Sequence, residues 1–132
     1  LEKHKIADRT MIIFTSDNGG LMGPTNNAPL RSGKGYAYEG GIRVPLIIKW
    51  PGVVKPGTTS AEPVTSVDYF PTIAEVAGLD LPEGRDIDGL SLAKHLSSQG
   101  KQKLVVRRFI GISLIIGTIR APTALFVKGT GN

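Results

Sequence analysis

The feature that most constrains this chain is an abrupt change of character at Ser16. The run Thr10-Met11-Ile12-Ile13-Phe14-Thr15 is apolar and β-branched, and reads as a fully buried, parallel strand. From Ser16 to Arg43 there is no sustained period of either kind, but there are seven glycines, two prolines and the pair Asn26-Asn27. A compact domain rarely carries so long an irregular stretch unless the stretch has a function. Around it, Leu1 to Arg9 has the look of the last turns of a helix, and Val44 to Trp50 is a second strand with proline at its entry, followed by the turn Pro51-Gly52. Ser66 to Ala77 reads as a helix with Ser66 as N-cap, Gly78 just past its end, and Val67, Phe70, Ile73, Ala74 and Ala77 on one face. A short helix over Ser91 to Ser97 follows the turn Asp86-Ile87-Asp88-Gly89. The alternation of helix and strand makes the fold class α/β.

Charge narrows the function. The formal net charge of the 132 residues is +5, a value that invites a polyanionic partner. Divided by position it says something else: residues 1–100 hold 10 basic and 11 acidic side chains, whereas residues 101–132 hold six basic and none acidic. The body therefore has no electrostatic footprint for nucleic acid or an anionic membrane. With no cysteine, disulfide staples and thiolate metal sites are excluded. The longest apolar run, Phe109 to Ile119, falls well short of the roughly 20 residues needed to cross a bilayer. The first residues, Leu1-Glu2-Lys3-His4-Lys5, do not form a secretory signal, and the chain reads as though cut from a longer protein.

Two segments carry chemistry. Thr15-Ser16-Asp17-Asn18-Gly19-Gly20 follows the first strand directly, and in α/β sheets the carboxyl ends of strands face the ligand crevice. Asp17 and Asn18 offer hard oxygen donors suited to Ca²⁺ or Mg²⁺; Asp-Asn-Gly is equally ordinary turn chemistry. The second segment is Leu30-Arg31-Ser32-Gly33-Lys34-Gly35-Tyr36-Ala37-Tyr38-Glu39-Gly40-Gly41-Ile42-Arg43-Val44-Pro45. Glycine-flanked Lys34 could present a compact charge to an anion, or be a solvated loop lysine. A phosphate-binding P-loop is excluded, because the required glycine is Ala28 and the required Ser or Thr is Gly35.

Taken in order, the strand and Thr-Ser-Asp-Asn-Gly-Gly, the Gly-Lys-Gly-x-x-Tyr-Glu-Gly-Gly-Ile-Arg-Val-Pro segment, Trp-Pro-Gly, Ser-Val-Asp-x-x-Pro-Thr-Ile and Asp-Gly-x-Ser resemble the second half of the catalytic domain of the sulfatase family, in the alkaline-phosphatase-like superfamily. The resemblance covers about Leu1 to Ser98, so residues 1–103 are expected to be a partial catalytic domain with a mostly parallel sheet. It implies hydrolysis of small-molecule or glycan sulfate esters, with no nucleic-acid or membrane partner. It further implies that Asp17 and Asn18 ligate a divalent metal, Ca²⁺ with Mg²⁺ as the alternative, and that Lys34 is the catalytic and substrate-binding contact to sulfate. A periplasmic or secreted location goes with that family. Glu39 and Arg43 are expected to form a loop-bracing ion pair, and Asp68 to bond the helix start. The family's formylglycine nucleophile arises in a Cys/Ser-x-Pro-x-Arg motif, which has no counterpart in these residues; the chain alone is expected to be inactive. His4 and His95 read as surface residues. The competing readings are a phosphoester or phosphonate hydrolase of the same superfamily, and a non-enzymatic module whose basic tail binds anions.

Residues 104–132 depart from the resemblance. Codons can be chosen for Phe109 through Asn132 such that a two-nucleotide displacement gives Tyr-Trp-His-Phe-Pro-His-Tyr-Arg-His-Tyr and onward in the style of a sulfatase. The tail therefore reads as the product of a shifted frame, and Leu104 to Ile119 is expected to be poorly packed or aggregation-prone.

Overall fold

The computed structural model describes residues 1–104; the expectations for the tail lie outside them. Five regular elements follow one another: β1 (Ile12–Thr15), α1 (Glu39–Ile42), β2 (Leu46–Lys49), α2 (Tyr69–Val76) and α3 (Ala93–Ser97). The leading helix expected over Leu1 to Arg9 is instead two 3₁₀ turns, Glu2–His4 and Ala7–Arg9. Lys5, left-handed at φ 54°, separates them. No helix among the described residues is long and apolar enough to cross a membrane.

The strands pair with each other and run antiparallel, Ile12 opposite Lys49 and Thr15 opposite Leu46. This corrects the parallel, fully buried reading of β1, and no parallel strand pair is present among the described residues. The apolar run fixed the strand but not its direction, and its two faces differ. Phe14 is 61% exposed, while Ile13 packs against the core. β2 is the interior strand: Leu46 and Ile48 are each 1% exposed and join Val44, Val64, Leu92 and Leu96 in one cluster. Fully burying an aliphatic side chain of this size stabilises by roughly 1.5–3 kcal/mol.

α2 lies where periodicity predicts, but it is turned. Pro71, Thr72 and Ala74 are buried, whereas Phe70 and Ile73 are 52% and 50% exposed. Its first turn is a 3₁₀ segment over Ser66–Asp68 with Thr65, not Ser66, at the cap. Asp68 performs the expected helix-start bonding, its Oδ2 accepting from the Thr65 N–H at 2.9 Å. Its Oδ1 also accepts from the Leu90 N–H at 2.8 Å, and Thr72 Oγ1 accepts from the Leu92 N–H at 2.9 Å. These polar groups face inward because the buried segment before α3 brings backbone amides that need acceptors, and that requirement outweighs the apolar periodicity.

His95 is also corrected. It is 5% exposed, with Nε2 2.8 Å from Ser60 Oγ and Nδ1 2.6 Å from the Gln102 carbonyl oxygen. Both ring nitrogens are satisfied, so this histidine ties α3 to two flanking segments. His4 is exposed, as read.

Candidate functional site

β1 ends at Thr15, and the chain turns at once. Ser16 Oγ donates to the Asn18 carbonyl at 2.9 Å, which closes the turn and leaves the Asp17 carboxylate exposed, its hydrogen bonding among the described residues limited to Ser16 Oγ at 3.5 Å. The Gly19 N–H donates to the Gly41 carbonyl at 2.9 Å, fastening the turn to α1. The Lys34 N–H donates to the Gly20 carbonyl at 3.0 Å, fastening the lysine segment to the same turn. Two loops far apart in sequence thus share one backbone seam.

Glycine makes the seam fit. A Cβ on Gly19 would collide with the Gly40 carbonyl, one on Gly40 with the Ser32 carbonyl, and one on Gly41 with the Tyr36 carbonyl. Here backbone packs on backbone, a separation that any side chain would prevent. Asn27 adds a staple, its Nδ2 donating to the Gly20 carbonyl at 2.8 Å and the Ser32 carbonyl at 3.1 Å. The expected loop-bracing ion pair is present, Arg43 Nη1 to Glu39 Oε2 at 3.3 Å.

Asp17, Asn18 and Lys34 line a single cavity of about 440 Å³, together with Asn27 and Arg43. The lining offers an exposed carboxylate, a neutral amide oxygen and an ammonium group, the donor types that hard divalent cations and anions take. Two oxygen donors are a partial shell, since Ca²⁺ takes six to eight. Among the described residues no group of three or more His, Cys, Asp or Glu side chains could complete it. Sequence reading assigned Asn27 to loop composition and Arg43 to bracing alone. Neither pattern signals the cavity, because both residues reach it through contacts made across the irregular stretch.

The fold is α/β, a fragment of an alkaline-phosphatase-like domain. The model of the sulfatase family matches residues 1–79, and the chain belongs to that family. It is 52% identical over 99 residues to a sulfatase of Formosa agariphila, covering 73% of this chain and 18% of that relative. To the N-acetylgalactosamine-6-sulfatase of Sus scrofa it is 41% identical over 133 residues, covering 97% of this chain and 26% of the relative. A crystal structure of Ps i-CgsB in complex with k-i-k-neocarrahexaose superposes with a TM-score of 0.68 at 38% identity, over 74% of this chain and 22% of that one. The chain thus spans between a sixth and about a quarter of the length of these relatives.

Proposed function

We propose that this chain forms one wall of a sulfate-ester hydrolase site, with Asp17 and Asn18 as ligands of a divalent cation, Ca²⁺ or Mg²⁺, and Lys34 as the cationic contact to the sulfuryl group. The observation that carries the reading is the shared cavity of these three residues, with the family's membership behind it. A bound cation would polarise a sulfuryl oxygen. Lys34 would neutralise charge on a second oxygen as it shifts toward the leaving group, and a fixed ammonium stabilises that change without reorganising. The backbone bond from Lys34 N–H to the Gly20 carbonyl ties the lysine segment to the turn that carries Asp17 and Asn18, which supports an orienting role for this loop. The substrate class is a sulfate ester of a small molecule or glycan; the Ps i-CgsB complex with an oligosaccharide supports the glycan. The nucleophile, a formylglycine by resemblance, has no source motif in the 132 residues.

The test is a chimera in which the matched stretch of the Formosa agariphila sulfatase is replaced by this chain's residues, assayed with 4-nitrophenyl sulfate and 4-nitrophenyl phosphate. Sulfate-ester hydrolysis should survive the exchange and fall about a hundredfold or more in D17A and K34A. A folded chimera whose D17A and K34A variants keep full activity would refute the roles, and a preference for the phosphate ester would refute the substrate class. The 132-residue chain on its own should hydrolyse neither; measurable sulfatase turnover by the pure chain would overturn the statement about the nucleophile.

A further inference from the structure

Arg43 is placed where a brace alone need not be. It follows α1, its N–H donates to the Glu39 carbonyl at 2.8 Å, and its side chain, 23% exposed, meets Glu39 through Nη1 alone. Its Nε is shielded from solvent and has no acceptor among the described residues. Arg43 also lines the cavity that holds Lys34 and Asp17. A guanidinium carries five donors in a rigid fork that matches an oxyanion, and a buried N–H without an acceptor is costly unless a partner arrives. The Glu39 pair fixes the side chain and leaves donors over.

Resting on the sulfate-ester reading above, we infer that Arg43 is a second substrate-binding cation of this site: with Glu39 holding its orientation, it donates to sulfuryl oxygens that Lys34 leaves uncovered. Three peripheral oxygens then meet a point charge and a planar fork, a combination that discriminates a tetrahedral oxyanion from a carboxylate more sharply than either group alone.

Inorganic sulfate titrated into the full chain in the presence of Ca²⁺, followed through the backbone amide shifts of Gly19, Gly20 and Gly41, separates this from bracing. R43Q should weaken sulfate affinity about tenfold, the scale of a lost charge-assisted bond. R43K should recover part of it. E39Q removes the charge of the pair but keeps an amide oxygen that accepts from Nη1 and so still orients the guanidinium, and it should stay within about twofold of the parent. If E39Q weakens binding as much as R43Q, Arg43 is a brace and the inference fails. If K34Q weakens binding and neither R43Q nor R43K does, the inference fails and the sulfate-ester reading stands. If the parent chain binds no sulfate, or K34Q binds as the parent does, both fail. Should R43Q not fold, R43K against E39Q carries the comparison.

Discussion

Asp68 and Thr72 show how much one polar side chain can hold. Between them they accept hydrogen bonds from three backbone amides, those of Thr65, Leu90 and Leu92, while Thr72 Oγ1 donates to the Asp68 carbonyl at 2.6 Å. Thr72 is fully buried. T72V keeps the volume and removes both bonds, orphaning the Leu92 N–H, and should cost about 1–3 kcal/mol in urea unfolding. D68N should cost a similar amount, because the amide NH₂ replaces one of the two acceptor oxygens and sets a donor against the N–H of Thr65 or of Leu90. Beside them, the Tyr69 hydroxyl lies above the ordinary phenol value of 10.0: burial raises it, the Thr15 side chain partly opposes this, and the Asp68 charge raises it further. The folded state therefore holds that proton after the unfolded chain has released it. The associated stability is complete below the ordinary value and is lost as pH rises through the folded one. Urea midpoints should fall from about pH 10 upward, and Y69F should flatten that slope; an unchanged slope would show that another group carries it.

At the scale of elements, the existence and place of β1, β2, α2 and α3 were legible in the sequence, since apolar runs and a glycine stop are local signals, but each is shorter than its expected span. Orientation was not. Apolar spacing assigned Phe70 and Ile73 to the interior, yet hydrogen-bond demand from residues 90–92 decides which side of α2 faces in, and periodicity does not register that demand. F70S and I73S should accordingly cost less than about 0.5 kcal/mol each in thermal unfolding, against about 2–5 kcal/mol for L46A in β2. Equal losses would restore the amphipathic reading. The site motifs were legible for a different reason: Asp17, Asn18 and Lys34 sit in short, unusual strings. What brings Asn27 and Arg43 to the same cavity is the folding of residues 16–43 on themselves, and no local pattern encodes it.

Over the whole molecule, basicity is uneven along the sequence: the described residues that line the cavity belong to the near-neutral stretch 1–100, and six of the 16 basic residues fall in 101–132. For that tail the amino-acid sequence makes a prediction about DNA. A shifted frame requires an indel near the codons for Val105 to Arg108 relative to intact relatives; the alignment to the pig enzyme, which covers 97% of this chain and so reaches into the tail, is the indication that favours an uninterrupted frame. Resequencing that region with its flanks distinguishes the two outcomes.

The meeting of Gly19, Gly40 and Gly41 with the carbonyls of Gly40, Ser32 and Tyr36 has a consequence for variation. A joint without side chains has no slack, so a residue inserted on either side cannot be absorbed by rotamer changes and must displace Asp17 relative to Lys34. Length differences among homologous chains should therefore collect in the outer part of this stretch, around Met22 to Pro24, and G40A should disturb the geometry of the cleft more than many substitutions of residues that border it directly.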